Sequence, residues 1–240
     1  MKTRLDRLLV ERGLAETREK AQALIMAGEV FVEGQRAAKP GQGVAATAAL
    51  EVLARPPFVS RGGFKLAEAL RHWNIDVTGL VCLDLGASTG GFTDVLLQGG
   101  AARVHAVDVG AGQLDWKLRT DNRVVVHEGI NARHLAAREI GEAVDLATCD
   151  VSFISATLIL PAAVPLLRPN GQIVILVKPQ FEAGKGLVGK GGIVRRPEVH
   201  QAACRRVERA AAELGFRTDL IESPILGAEG NKEFLLYAYH

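Results

Sequence analysis

The sequence predicts an α/β protein in which a small α+β domain precedes a larger domain built on a mostly parallel, seven-stranded sheet. Beyond Lys65, short apolar runs alternate with helical segments, which is typical of parallel sheets. The last two runs, 217–222 and 233–239, are joined without a helix, as in an antiparallel pair. The five runs before them predict parallel strands over 80–85, 104–107, 124–127, 144–148 and 173–177.

Residues 1–58 have the pattern of a small separate domain. One helical segment ends at Gly13, and a second, which Thr17 is placed to cap, ends at Gly28. Short strand-like runs and glycine turns follow, and two prolines after Arg55 then stop any central strand. The predicted organisation is therefore one domain over 1–58, a linker over 59–64 and a second domain over 65–240.

Composition excludes several classes of protein. Of the 240 residues, 48% are hydrophobic and 23% are charged, which is the balance of a globular chain. Three separated cysteines, Cys82, Cys149 and Cys204, indicate neither a disulfide framework nor a metal cluster, and the histidines lack metal-ligand spacing. We expect no metal. Without a signal peptide or an apolar run of about 20 residues, the sequence predicts a cytoplasmic protein with no membrane partner.

A glycine-rich turn follows the first strand of the larger domain and leads into a helix. Its spacing differs from the GxGxxG of dinucleotide sites and favours a nucleoside that carries an amino acid. Asp108 ends the second strand, where a carboxylate can accept both hydroxyls of a ribose, and Asn131 follows the third, where it could contact an adenine. The residues predicted to bind the cofactor are Asp84, Gly86, Ala87, Ser88, Thr89, Gly90, Gly91, Phe92, Asp108 and Asn131.

Four charged residues are predicted to meet at the carboxyl edge of the sheet. Asp150 ends the fourth strand and Lys178 the fifth, and Glu233 opens a last strand whose antiparallel direction brings its start to the same edge. Lys65 starts the helix that leads into the first strand and can reach the same rim. Each charge alone is typical of a solvated strand end, but together they can shift one another's proton affinity.

These residues carry a resemblance to a known family. The order Lys65, Asp150, Lys178, Glu233 resembles the K-D-K-E tetrad of FtsJ-like RNA ribose 2′-O-methyltransferases, and RLDRLLVERG with TREKAQALIMAGEVFVEG is similar to an S4-like RNA-binding domain. Together with SRGGFKL, DLGASTGGFTDVLL, DVSFIS and LVKPQFEAGKG, these segments resemble the TlyA family, often labelled hemolysin A, along essentially the whole chain. The resemblance implies a Rossmann-like class I methyltransferase domain that uses S-adenosylmethionine. One departure is Asn131, where related methyltransferases commonly have an acid.

The activity that the resemblance implies is methylation of a cytidine ribose in ribosomal RNA. The ribose oxygen must lose its proton as it attacks, and no histidine or cysteine is placed to take it. Lys178 is the best candidate base, with Asp150 orienting its amine and Glu233 positioning Lys65 or the ribose. Because the chain ends at His240, soon after the last strand, we expect the shorter form of the family, which favours large-subunit over small-subunit RNA.

The net charge is only +2, which by itself does not indicate a nucleic-acid partner. The expectation of RNA binding therefore depends on how the cations are arranged. Four cations lie on two adjacent short helices, where they could bind phosphates, although charge pattern alone accounts for them equally well as a solvated face. The resemblance favours RNA, with ribosomal RNA or a ribosomal subunit as the partner. The candidate contacts are Arg4, Arg7, Arg18 and Lys20.

Two functions of other classes compete with this interpretation. A noncatalytic RNA-binding or ribosome-assembly factor could keep the same fold, but the intact set of four charged residues counts against it. A pore-forming hemolysin is suggested by the family label, and the lack of a membrane-spanning or strongly amphipathic segment counts against it.

Overall fold

The computed structural model describes residues 2–52, 57–184 and 186–240. Its contacts divide the chain into two units between residues 57 and 58. The sequence placed the boundary at the prolines after Arg55, and residues 55 and 56 lie outside the described part. The predicted linker over 59–64 differs from the structure, because these residues belong to the second unit and a helix already begins at Gly62.

The first unit consists of two helices and two small antiparallel sheets. Thr17 caps the second helix as predicted, its side-chain oxygen accepting the N–H of Lys20 at 3.2 Å. The apolar faces of both helices and of the strand that begins at Val30 form the core, which includes Leu5, Leu9 and Ile25. The helices are α1 (Leu5–Glu11) and α2 (Arg18–Met26); β1 (Lys2–Arg4) pairs with β4 (Gly43–Ala45), and β2 (Val30–Val32) pairs with β3 (Gln35–Arg36) and β5 (Leu50–Val52).

The second unit is built on one seven-stranded sheet, which confirms the predicted fold class. The strands are β6 (Val81–Leu85), β7 (Arg103–Asp108), β8 (Val124–Glu128), β9 (Val144–Cys149), β10 (Leu167–Val177), β11 (Arg217–Glu222) and β12 (Phe234–Tyr239). Their order in the sheet is β11-β12-β10-β9-β6-β7-β8. The five strands from β6 to β10 are parallel, whereas β12 runs antiparallel to β10 and to β11.

One strand is much longer than predicted. The apolar run predicted 173–177, but β10 begins at Leu167. Leu167 pairs with Val144 and the next pair is Gln172 with Leu146, so the strand carries extra residues that break the register. Arg168, Pro169 and Asn170 in this stretch are exposed and form no apolar run, which is why hydrophobic periodicity missed them.

Helices cover both faces of the sheet. The helices are α3 (Gly62–His72), α4 (Gly91–Gln98), α5 (Trp116–Arg119), α6 (Ala137–Ile140), α7 (Leu160–Ala163), α8 (Pro179–Glu182) and α9 (Pro197–Glu213), with short 3₁₀ turns at 132–134, 156–158, 164–166 and 190–192. α7 and α9 pack on one face, where Leu160 and Val207 join Leu83 and Leu85 in one core. α3 and α4 contribute to a second core, which includes Cys82.

Candidate active site

The glycine-rich turn between β6 and α4 passes very close to the end of the neighbouring strand. Gly86 has φ +83°, and a Cβ placed there would lie 2.6 Å from the backbone oxygen of Asp150. Gly90, with φ +96°, precedes the first turn of α4, and a Cβ there would strike Leu114 and Leu118. Only glycine satisfies both the left-handed backbone and the close packing at these two positions.

Two adjacent cavities open on either side of this turn. The first, of about 250 Å³, is lined by polar groups that include Lys65, Asp150 and Lys178. The second, of about 350 Å³, has a more apolar lining that includes Ile130 and Ile154. The two cavities share Gly86, Ser88, Asp150 and Ser152. An elongated ligand can therefore lie along the turn with one end in each cavity.

The structure brings most of the predicted cofactor residues to these cavities. Gly86, Ala87, Ser88, Thr89, Gly91 and Phe92 line the first, and Asp108 and Asn131 line the second. The carboxylate of Asp108 accepts the N–H groups of Ser88 at 2.8 Å and Gly110 at 2.7 Å. An ionised carboxylate has about four acceptor positions, so Asp108 keeps capacity for further donors.

Asp84 has a different role from the predicted one. Among the described residues it lines neither cavity; it is fully buried and accepts the hydroxyl groups of Thr93 at 2.7 Å and Thr148 at 3.0 Å. Burial raises the pKa of this carboxyl to about 6. Asp84 ties β6, α4 and β9 together beneath the turn. Gly90 likewise lines neither cavity; its left-handed backbone lets the turn enter α4.

The four predicted charged residues meet as two ion pairs. Lys178 Nζ lies 2.6 Å from Asp150 Oδ1, and it also donates to Ser152 Oγ at 2.8 Å. Lys65 Nζ donates to Glu233 Oε2 at 2.5 Å. The register explains the second pair, because Phe234 lies opposite Val177 and so brings Glu233 to the level of Lys178.

The two pairs differ in what they present to the cavity. Lys65, Asp150 and Lys178 line the first cavity, whereas Glu233 does not and is only 3% exposed. Lys65 lies within α3 rather than at its start, because the helix begins at Gly62. Glu233 precedes β12 by one residue and forms an ion pair with Lys65 without itself lining the cavity. The arrangement presents two lysine nitrogens and one carboxylate to a ligand.

Comparison with known proteins identifies the two units. A model of the FtsJ-like methyltransferase family matches residues 58–239, and a model of the S4 domain matches residues 3–48. The chain belongs to the FtsJ-like methyltransferase family. It is a methyltransferase, and its cofactor is S-adenosylmethionine.

Two relatives and one solved structure match most of this methyltransferase. It is 49% identical over 239 residues to the 16S/23S rRNA (cytidine-2′-O)-methyltransferase TlyA of Mycobacterium tuberculosis, and the matched region covers 98% of this chain and 89% of the relative. It is 38% identical over 182 residues to the 23S rRNA (cytidine-2′-O)-methyltransferase TlyA of Campylobacter jejuni, 75% of this chain and 70% of that relative. A solved structure of a candidate hemolysin from Streptococcus thermophilus matches with a TM-score of 0.75 and 45% identity, over 99% of this chain and 88% of that one.

The residues of the two cavities fit S-adenosylmethionine. Gly86 lines both cavities and has no side chain to cover its backbone, so the turn leaves that backbone open to a ligand. Asp108 retains acceptor capacity for ribose hydroxyls beside an apolar cavity suited to an adenine ring. Asn131 spends its side-chain oxygen on the N–H of Arg133 at 3.0 Å, which leaves its amide N–H₂ as a donor.

Among the cavity-lining residues of this methyltransferase that sequence reasoning missed are Ser152 and Phe153. Ser152 holds Lys178, and Phe153 projects with 91% of its surface exposed at a φ of +65°. The Phe153 ring lies 5.3 Å from that of Phe181, measured between centroids. The segment DVSFIS carries part of the family resemblance, and a polar and an aromatic residue two and three positions after Asp150 were the available signal.

The four predicted RNA-binding cations of the first unit are exposed, and each is paired with an acid. Arg4 and Arg18 both donate to Asp6, at 2.9 and 3.0 Å, and Arg7 lies 3.4 Å from Glu11. Lys20 pairs with Glu16. The side chains of these cations remain 52–73% exposed, so their other N–H groups face solvent.

Within the described ranges, no helix is long and apolar enough to cross a bilayer. In that part of the chain, no group of three or more histidine, cysteine or acidic side chains is placed to hold a metal ion. Cys82, Cys149 and Cys204 are free and buried.

Proposed function

We propose that this methyltransferase transfers a methyl group from S-adenosylmethionine to the ribose 2′-hydroxyl of a cytidine in ribosomal RNA. The observation that carries the proposal is the pair of lysines at one cavity wall. Lys178 is held by Asp150 and Ser152, and Lys65 is held by Glu233, directly beside the cofactor turn. This is the order and pairing expected of the K-D-K-E tetrad of ribose 2′-O-methyltransferases.

The chain's own residues divide the work. When bound, S-adenosylmethionine supplies a methyl group activated by a positive sulfur. The turn at Gly86 and the carboxylate of Asp108 would hold the cofactor, and the amide of Asn131 would be a donor for its base. Lys178 Nζ, in its amine form, takes the proton from the attacking 2′-hydroxyl, and Asp150 orients that nitrogen. Lys65, fixed by Glu233, stabilises the negative charge that develops on the oxygen.

Ribosomal RNA as the substrate is supported by the relatives and by the first unit. Both relatives named above act on ribosomal RNA at a cytidine 2′-oxygen, and 23S RNA is common to their names. We propose large-subunit RNA as the target, which implies action in the cytoplasm. The first unit, which matches the S4 domain, binds phosphates through Arg4, Arg7, Arg18 and Lys20. We also propose that residues 1–58 form a domain that binds RNA without taking part in the chemistry.

The test is a map of ribose methylation on ribosomal RNA from cells with and without the gene. We expect one 2′-O-methylcytidine of the large-subunit RNA to be lost with the gene and restored by the parental protein, but not by its Lys178→Ala variant. An unchanged ribose-methylation map would contradict the proposal. A map restored equally by both proteins would contradict the assigned chemistry, and growth rescue without methylation would indicate a noncatalytic assembly factor.

A further inference from the structure

The carboxylate of Glu182 lies outside the tetrad and connects the two chain segments that carry its members Asp150 and Lys178. One segment leaves β9 and contains Asp150, Ser152 and Phe153. The other leaves β10 and contains Lys178, which begins the turn that leads into α8. β9 and β10 are parallel neighbours, so both segments leave the sheet at the same edge. Any drift between them would change the distance between Lys178 and its partners.

Glu182 bonds to the far end of the first segment with both of its oxygens. Oε2 accepts the hydroxyl of Ser155 at 2.5 Å, and Oε1 accepts the backbone N–H of Ala156 at 2.7 Å. The side chain is only 4% exposed. Hydrogen bonds to a buried carboxylate are short and strong, and their loss leaves buried groups unsatisfied. The contact is therefore a firm attachment rather than a solvated surface pair.

Glu182 is equally fixed to Lys178. Its backbone N–H and that of Phe181 both bond to the carbonyl oxygen of Lys178, at 3.3 and 2.9 Å. Arg206 of α9 donates to the carbonyl oxygen of Glu182 at 3.0 Å. One hydrogen-bonded turn thus separates the lysine that meets Asp150 from the carboxylate that meets Ser155.

The segment held in this way contains a strained residue. Phe153 has φ +65°, which costs energy for a bulky side chain and persists only where the surroundings impose it. The segment is anchored at its start by the N–H of Asp150, which bonds to the carbonyl of Leu85 at 2.9 Å. The bonds from Ser155 and Ala156 to Glu182 are the anchor at its end.

We propose that Glu182 is a positioning residue that sets the separation between Lys178 and the Asp150–Phe153 segment. It does not touch the reacting atoms. This inference rests on the proposed function for its consequence in catalysis, since misplacement of reacting groups by about 1 Å can lower a rate on the order of 100-fold. The geometric part of the inference concerns the protein alone.

The test compares Glu182→Ala with Glu182→Gln in the full chain, with Glu213→Ala, an exposed position of α9, as the control. A glutamine keeps the geometry, because its oxygen accepts from Ala156 and its amide donates to the Ser155 oxygen. With ribosomal RNA and S-adenosylmethionine both saturating, we expect Glu182→Ala to lose about 10- to 100-fold in single-turnover rate without a matching rise in KM for RNA. We expect Glu182→Gln to stay within about threefold of the parent.

Hydrogen exchange measured on the same proteins gives a readout that needs no substrate. The peptide that contains Ala156 should exchange at least about tenfold faster in Glu182→Ala, but not in Glu182→Gln or Glu213→Ala. If the alanine variant fails to fold, Ser155→Ala removes the bond to Glu182 Oε2 and keeps that to Oε1, so the same peptide should exchange faster than in the parent, by a smaller factor than in Glu182→Ala.

Parental exchange and a parental rate in a folded Glu182→Ala protein would overturn the inference, and so would Glu182→Gln behaving like Glu182→Ala. If the parent itself does not methylate ribosomal RNA, the proposed function fails, and the exchange comparison still decides the positioning role.

Discussion

Asp6 in the first unit and Glu233 in the second are both buried carboxylates bonded to cations, but the cations differ in where they lie. Arg4 and Arg18 around Asp6 are half-exposed, with 52% of each side chain accessible. Lys65 on Glu233 has a side chain that is only 10% accessible and lines a cavity. Under the proposed function, the first carboxylate holds exposed charges that bind RNA, whereas the second fixes a charge in place for methyl transfer.

The largest expected effect comes from breaking the buried pair. Lys65→Met leaves Glu233 buried without its cation, which should cost about 3–5 kcal/mol of stability in the second unit. The double variant Lys65→Met/Glu233→Met should recover most of that stability, because two apolar side chains replace both charges. Methylation should remain abolished in both. Denaturant titration and a methylation assay separate the two effects, and recovered activity in the double variant would show that Lys65 is only structural.

Asp6 should have a smaller effect, and one that depends on pH. Its hydrogen bonds from Arg4 hold the pKa of Asp6 well below its usual range. A lowered folded-state pKa contributes stability above the unfolded value near 4, and this contribution is lost as the pH falls below it. Asp6→Asn should therefore destabilise the first unit by about 2 kcal/mol at pH 7 and flatten its loss of stability below about pH 4. Thermal unfolding from pH 7 to pH 2 measures this, and identical slopes for parent and variant would contradict the assigned role.

Replacing Asp108 should lower the affinity for the cofactor. Asp108→Ala removes the acceptor proposed for the ribose hydroxyls and should weaken S-adenosylmethionine binding about tenfold or more, the size of losing hydrogen bonds to a charged group. Asp121→Ala, at a partly exposed acid that pairs with Arg123 and lines neither cavity, is the matched control. Calorimetric titration is the measurement. Parental affinity in Asp108→Ala would remove the ribose assignment.

The smallest effect is expected at the exposed cations of the first unit. Arg7→Gln/Lys20→Gln should weaken RNA binding several-fold and lower the dependence of log affinity on log salt by about 1.5, because two phosphate contacts are lost. Glu11→Gln/Glu16→Gln removes their acid partners and should strengthen binding instead. Filter binding at several salt concentrations tests both changes, and equal affinities in all three proteins would contradict an RNA-binding role for this face.

The sequence contained enough information to predict where the charged residues would meet and that Asp150 would pair with Lys178, but it left Lys65 and the ribose as alternative partners of Glu233. Parallel strands end at one edge, and an antiparallel last strand begins there, so Asp150, Lys178 and Glu233 could be placed together from strand order alone. The partner choice between Lys65 and Glu233 depends on residues 168 positions apart, and no local pattern encodes it.

Local backbone and burial account for what was mispredicted. Asp84 looked like a ligand because it precedes the turn, but its partners Thr93 and Thr148 come from other elements of the fold. The left-handed conformation of Phe153 was invisible because a bulky residue rarely adopts it, and only the surrounding contacts impose it. Glu182 was passed over because its role depends on burial against Ser155, which sequence spacing does not reveal.

Lys178 is the residue proposed to take the proton from the ribose hydroxyl. The most direct measurement is the single-turnover formation of 2′-O-methylcytidine on ribosomal RNA by parent and Lys178→Ala, with cofactor and RNA both saturating. We predict a loss on the order of 100-fold or more, the size of removing a general base, with S-adenosylmethionine binding close to parental. A Lys178→Ala protein that forms the product at the parental rate would contradict the mechanism.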